Sequence, residues 1–359
     1  MKDHRIIGKE LDLFSFHDEA LGSVFWHPRG WIVYQSLQNF IRNKLIGYQE
    51  ISTPVLIKSN LFEQSGHLTH YKDSMFEVKV DALQYYLKPM NCPASTLVYK
   101  SKTRSYKDLP LRFSEFGILY RNELSGVLGG LFRLRQFTQD DAHIYVTEAQ
   151  MISEVEVLLI LMKKIYSLFG FKPQLYFCSK PQKAMGTDHL WAKAETALLQ
   201  VLVEEGAEEK KGDGAFYGPK IDIHIKDSQK RDWQLGTIQL DFQTPERMGL
   251  EYVDKEGKTQ RPIMIHRAFL GSLERFIGIL LEHTQGNLPD FLSPVSTIII
   301  PVADRHIEYA RKVATETYGG QVEVDERSLP VSRKVRDAKV LKIPNIVVVG
   351  DKEMGGDQT

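Results

Sequence analysis

Between residues 109 and 147 the chain reads as two alternating segments, LPLRFSEFGILYRNE and LFRLRQFTQDDAHIYVT, joined by the glycine-rich LSGVLGG. This pair constrains the fold more than any other stretch, because alternating segments on either side of a glycine-rich loop predict antiparallel strands. Side chains alternate faces along a strand. If the second segment is one regular strand, Arg133, Arg135, Phe137, Gln139, Asp141 and His143 share a face. The opposite face, with Leu134, Gln136, Thr138, Asp140 and Ala142, makes a poor core. A bland half-buried strand is apolar on one side, and this one is not. Arg121 and Glu123 share a face in the preceding segment, so pairing would gather both polar faces onto one surface. Guanidinium groups grip phosphate bidentately and stack on flat rings, so arginines beside a ring suit a phosphate-bearing planar ligand.

Helical spacing at Leu37, Phe40, Ile41 and Leu45 precedes an extended stretch, YQEISTPVL, which Pro54 marks as an edge strand or contact surface. EAQMISEVEVLLILMKKIYSLFG predicts a helix with Gly170 as its C-cap. IDIHIKD and DWQLGTIQLDF read as strands, and AFLGSLERFIGILLEHTQG as a helix. After LPDFLSPV the character changes. TIIIPV, QVEVDE and IPNIVVVGDKE alternate with two helical segments, DRHIEYARKVATETYGG and SLPVSRKVRDAKVLK, the first ending in Gly-Gly. That order predicts a βαβαβ unit with a parallel sheet. The boundary falls near Ser293–Pro294, giving two domains over residues 1–292 and 293–359, the second expected to be cut short after its third strand.

The 46 basic and 46 acidic residues cancel, which leaves a nucleic-acid partner open because only a local basic patch would matter. The composition, 42% apolar and 26% charged, excludes a collagen, a disordered chain and a pure coiled coil. No apolar run reaches the ~18 residues of a membrane span, and the N-terminus lacks a signal peptide's apolar core, so no membrane association is expected. Two cysteines, Cys92 and Cys178, make no disulfide framework and fit a reducing, cytoplasmic compartment. P-loop, GxGxxG and GxSxG motifs are all missing, so any ATP would have to sit on an antiparallel sheet among arginines. Cys92, His143 and His266 come from three distant segments with no CxxC or HExxH spacing. Spacing alone makes no metal site of them, but brought together they would leave a fourth zinc position open.

At GHLTHYKDSMF, LKPMNCP, YRNELSG, RQFTQDDAHIY, AFYGPKID, WQLGTIQLDF and IHRAFLGSLERF, the chain resembles the threonyl-tRNA synthetase family of class II aminoacyl-tRNA synthetases. The resemblance spans essentially the whole sequence. It implies an α+β fold: a six- or seven-stranded antiparallel sheet flanked by helices, then a partial α/β anticodon-binding domain. It implies ATP-dependent activation of L-threonine and transfer to the terminal ribose of tRNA(Thr), with Zn2+ and with Mg2+ on the ATP. Cys92, His143 and His266 match the zinc ligands. Arg121, Glu123, Arg133, Phe137, Gln234, Gln239 and Arg275 match ATP-side positions, and Met90, Gln139, Asp141, Tyr217 and Lys220 match the threonine pocket.

Arg121 and Arg275 would act in catalysis. So would His67, which matches a histidine near the tRNA ribose; the alternative is an exposed loop histidine. For Arg275 the alternative is an ion pair with Glu274 or Glu282. Gln234 and Gln239 are five residues apart and share a face only if a bulge forms at Gly236. Departures from the family pattern occur at Ala94-Ser95, Leu124, Gly129 and Leu235, none of them a proposed ligand. A homodimer with the Pro54 segment at its interface is expected, and an editing domain is not expected in this chain. A related prolyl or seryl enzyme and a catalytically silent RNA-binding paralogue are the competing readings.

Overall fold

The computed structural model describes residues 2–317 and 321–355. The chain divides into two compact units, one of Leu21–Ser23 and Ile41–Phe276, the other of Met1–Ala20, Val24–Phe40 and Ile277–Thr359.

The first unit is built on an eight-stranded sheet. Its strands are β1 (Gln49–Glu50), β2 (Leu111–Tyr120), β3 (Gln136–Val146), β4 (Gln174–Cys178), β5 (Glu208–Lys210), β6 (Lys220–Lys226), β7 (Asp232–Asp241) and β8 (Ile263–Ser272). They lie in the order β5-β4-β6-β7-β8-β3-β2-β1. The inner six pair antiparallel. The two edge strands, three and two residues long, pair parallel to their neighbours and are too short to leave a pattern in the sequence. Alternation sets the faces. Ile221, Ile223 and Ile225 of β6 are buried on one side, while Lys220, Asp222 and His224 take the other. Helix α1 (Met151–Leu168) buries Val155, Leu158, Leu159, Met162, Ile165 and Tyr166 at helical spacing and packs on β7 and β8. Gly170, at φ +77°, follows its end as expected. Helix α2 (Asp188–Leu202) packs beside α1. Gly236 lies under α1, where a Cβ would sit 2.9 Å from the Tyr166 hydroxyl and 2.8 Å from the Phe269 carbonyl.

Three readings of the sequence need correction. The segment beginning at Leu131 is not a regular strand until Gln136. Residues 121–135 form a loop with 3-10 turns at Ser125–Val127 and Gly130–Phe132, and the Arg135 amide bonds the Gly22 carbonyl at 2.7 Å. Arg133 and Arg135 therefore reach out from a loop and not from a strand face. Second, Ala268–Ser272 end strand β8 instead of opening a helix; helix α3 begins at Leu273 (Leu273–Thr284). The cause is Asp140, whose carboxylate accepts the amides of Phe269 and Leu270 at 2.8 and 3.0 Å and stabilises a bulge that Gly271 completes at φ +73°. Third, the C-terminal sheet is followed by a helical turn, Asp351–Gly355.

In the second unit, β9 (Thr297–Pro301) lies between β10 (Val322–Val324) and β11 (Asn345–Val349), all parallel, as the βαβαβ pattern requires. Helix α4 (Ile307–Glu316) packs against Ile299 and Val349, and α5 (Val331–Val340) against Ile298 and Ile300. The two clusters use alternate residues of β9, so the helices cover opposite faces. The Gly319-Gly320 helix stop lies outside the described residues.

Candidate functional site

Strand register alone gathers chemistry-bearing residues on the face of the large sheet away from α1. One row reads Cys178, Lys220, Gln239, His266 and His143 across β4, β6, β7, β8 and β3. The next reads Tyr176, Asp222, Thr237, Ala268, Asp141 and Glu115. The pairing of β6 with β7 slips between Ile223 and His224, so Leu235 is the extra residue of a bulge beside Gly236. That slip puts Gln234 and Gln239 into one wall, as both line the same cleft.

The cleft has a volume of about 290 Å3 and is lined by Arg121, Glu123, Arg133, Phe137, Gln139, Gln234, Gln239 and Arg275, together with Phe132, Thr237 and Ser272. Arg275 donates to the Phe132 carbonyl at 2.8 Å and, among the described residues, pairs with no carboxylate. Glu274 instead accepts the Thr138 amide and the Ser272 hydroxyl, and Glu282 accepts from His4, so neither candidate partner holds this arginine. Burial, with Arg121 and Arg133 nearby, lowers the pKa of Arg275. Arg121 stacks over Phe137 at 5.0 Å and Tyr71 at 5.7 Å. Arg133 is tied to Glu123 at 2.8 Å. Arg121 and Arg275, half-buried and without a counter-ion among the described residues, form with the neighbouring rings and amides a receptor for a polyanion carrying a flat group.

Next to the cleft lies a buried donor set. Cys92 begins the helix Cys92–Lys100, directly behind Asn91. Its sulfur and one ring nitrogen each of His143 and His266 lie within 4.8 Å of one another. Asp241 engages Nε2 of His266 at 2.9 Å, and Tyr217 stacks on the same ring at 4.6 Å. A carboxylate on one imidazole nitrogen leaves the other for a ligand and fixes the ring's orientation. Burial, reinforced by Asp141 and Asp241, pushes the Cys92 thiol well above its ordinary value. Burial, with His266 and Arg267 nearby, pushes His143 well below its own. Asn91 holds Asp141 at 3.0 Å, and Gly117 admits that amide because a Cβ there would lie 2.1 Å from Asn91 Oδ1. Burial raises the Asp141 pKa. Met90 packs against the cluster that contains Cys92. Tyr217 donates to Gln239 at 2.6 Å. Lys220 pairs with Asp222. His67 is fully buried, not an exposed loop histidine. Its Nε2 is 3.6 Å from Cys92 Sγ and its Nδ1 2.9 Å from Ser65 Oγ, and burial lowers its pKa to about 3.

Two adjoining regions, an anion-receptive cleft and a buried Cys/His/His set, thus occupy one antiparallel sheet. Residues 76–284 match the tRNA synthetase class II core domain family (G, H, P, S and T), and residues 296–358 match the anticodon binding domain family. The chain belongs to the class II tRNA synthetases. It is 48% identical over 359 residues to the threonine–tRNA ligase of Carboxydothermus hydrogenoformans, covering 98% of this chain and 57% of that one. The chain therefore spans little more than half the length of that relative. The crystal structure of the RNA binding domain of threonyl-tRNA synthetase from Cryptosporidium parvum Iowa II superposes with a TM-score of 0.95 at 41% identity, over 99% of this chain and 91% of that one. Giardia lamblia prolyl-tRNA synthetase shares the fold, with a TM-score of 0.73 at 18% identity over 98% and 70% of the two chains.

Within this synthetase fold, reasoning from sequence missed Asn91, Asp140, Asp222, Asp241, Thr237 and Ser272. Period two along β6 and β7 carries the signal for two of them, since Asp222 follows Lys220 and Asp241 follows Gln239 by two residues. Asn91 and Ser272 carry no such signal, because each is placed by a contact between distant segments.

Proposed function

We propose that this chain activates L-threonine with ATP and transfers it to the terminal ribose of tRNA(Thr). The observation that carries the reading is the buried Cys92/His143/His266 set beside a cleft whose Arg121 and Arg275 pair, among the described residues, with no carboxylate. A threonine carboxylate oxygen attacks the α-phosphorus of ATP, and pyrophosphate leaves. The ribose hydroxyl then attacks the acyl carbonyl, and AMP leaves. Arg121 and Arg275 offset charge on the phosphates, with ATP entering as its Mg2+ complex, so the chain acts mainly by positioning and electrostatics. Glu123, Arg133, Phe137, Gln234 and Gln239 bind ATP in this reading, and Met90, Gln139, Asp141, Tyr217 and Lys220 shape the amino-acid pocket. His67 takes the part of a catalytic group beside the incoming ribose.

The donor set fits Zn2+: one sulfur and two imidazoles match its preferred ligands, and Asp241 supplies an outer partner for His266. Bound there, Zn2+ supplies a Lewis acid that distinguishes a β-hydroxyl from a methyl group. The need is physical, since an apolar pocket separates such near-isosteres by only about 10²-fold. In the same reading residues 1–292 form the catalytic domain and 293–359 an anticodon-binding domain. The chain works as a homodimer in a cytoplasmic compartment.

Amino-acid-dependent exchange of labelled pyrophosphate into ATP tests the proposal. Threonine is expected to support exchange and valine to support it far more than 10²-fold less well, with close to one zinc per chain by elemental analysis and little in Cys92→Ala. Exchange driven by proline or serine in preference to threonine, or no exchange in the zinc-loaded protein, would refute it.

A further inference from the structure

Asp222 has no part in the reading above, yet it lies in the second row of the functional face. Its side chain is fully buried. A single oxygen, Oδ2, accepts from three groups: the Lys220 ammonium, the Gln234 amide nitrogen at 2.7 Å and the Cys178 thiol at 3.4 Å. The other oxygen, Oδ1, is buried with no hydrogen-bond partner among the described residues. A carboxylate so half-satisfied is a poor choice for packing alone, because a buried acceptor without a donor is unfavourable. Two of its three partners matter to the cleft. Gln234 lines it, and Lys220 sits in register beside Gln239, which lines it too. The other acidic neighbour of Lys220, Asp213, is exposed and 3.9 Å away, so Asp222 is the group that fixes the ammonium. Cys178, Asp213 and Asp222 also lie close enough to suit a cation, but the Lys220 ammonium already neutralises that carboxylate.

We propose that Asp222 is a positioning residue whose carboxylate sets the Lys220 ammonium and the Gln234 amide against the cleft. It acts through those two side chains and touches no substrate. The role in turnover rests on the threonine-activating reading; the clamp on Lys220 does not, and the test separates them.

Two measurements are made on the full chain. In pyrophosphate exchange, Asp222→Asn is expected to lower kcat about tenfold or more while KM for threonine stays within about threefold, and Asp222→Glu to recover part of the loss. In a Lys220→Met background the same Asp222→Asn change is expected to lower kcat by no more than about threefold, less than in the parent, because one of the two groups it acts through is gone and only Gln234 remains. Independently of activity, acetic anhydride labelling read by peptide mass spectrometry should modify Lys220 at least about fivefold faster in Asp222→Asn than in the parent. Additive losses in the double variant, or a raised KM with kcat intact, overturn the positioning role. Unchanged Lys220 labelling overturns the clamp. If the parent chain shows no threonine-dependent exchange, the substrate reading falls while the labelling still decides the clamp. Should Asp222→Asn not fold, Asp222→Glu carries the test: parental kcat with Lys220 labelled as fast as surface lysines overturns the proposal.

Discussion

Arginines are used in opposite ways around the three-stranded sheet and in the cleft of the large one. Around the three-stranded sheet, Arg305 pairs with Asp351, Arg311 with Glu308 and Glu326, Arg327 with Asp325 and Asp337, and Arg333 with Asp337. Each is exposed and each has its carboxylate. In the cleft of the large sheet, Arg121 and Arg275 are half-buried and have none among the described residues. An exposed pair in water is nearly neutral in free energy. A half-buried cation without a partner is unfavourable until an anion arrives. The 46 positive and 46 negative residues sum to nothing, so the charge total is silent about function. Where the unpaired charge sits is what carries the information.

A third kind of arginine sharpens the contrast. Arg267 is completely buried against Asp140, donates to its carbonyl at 2.6 Å and lies over Phe269 and Tyr48. Burial raises the Asp140 pKa to about 7. Replacing Asp140 with Ala strips the guanidinium of its counter-charge and the β8 bulge of its acceptor. A loss of about 3–5 kcal/mol in denaturant unfolding is expected. A loss below about 1 kcal/mol would remove the distinction between structural and receptive arginines. Arg275→Ala should do the reverse. Threonine-dependent exchange is expected to fall about 10²- to 10³-fold, as for loss of one preorganised charge donor, while the unfolding midpoint holds or rises. Activity retained with a lowered midpoint would move Arg275 into the structural class.

The sequence revealed the sheet wherever alternation was clean. KIDIHIK fixes both faces of β6 without help, and the βαβαβ order of the second unit follows from apolar runs alternating with amphipathic ones. It misled where a distant group overrides local pattern. Residues 268–272 read as helix because their apolar spacing suits one, yet Asp140, more than 120 residues away, takes two of their amides. Arg133 sits on the strand face only if the strand is unbroken, and Gly130 at φ +55° helps to turn the chain before it. The site divides the same way. Residues on a strand of known parity were legible, and the five-residue separation of Gln234 and Gln239 made a bulge the condition for their sharing a wall, a condition that β7 meets. Asn91 and Asp140 were not, because only tertiary contact gives them partners.

The smallest effects belong to the paired unit, and pH separates them. Asp325 is buried and its carboxylate takes Nε and Nη2 of Arg327 at 2.8 and 2.7 Å. Hydrogen bonds from Arg327 hold its pKa below the ordinary aspartate value. A group depressed in the folded state stabilises fully above its unfolded pKa, and that contribution fades as pH falls through the folded value. Asp325→Asn should therefore cost about 1–3 kcal/mol near pH 7, seen as faster amide exchange along β9 and β10, with threonine-dependent exchange within about twofold of the parent. The gap between variant and parent should narrow as the medium is taken below about pH 4, because the parent then loses the same ionised group. Arg311→Ala removes two exposed ion pairs, and no change in amide exchange is expected at any pH. If Arg311→Ala proved as costly as Asp325→Asn, exposure would not be what sets the worth of these pairs, and the contrast with the cleft would have to rest on geometry alone.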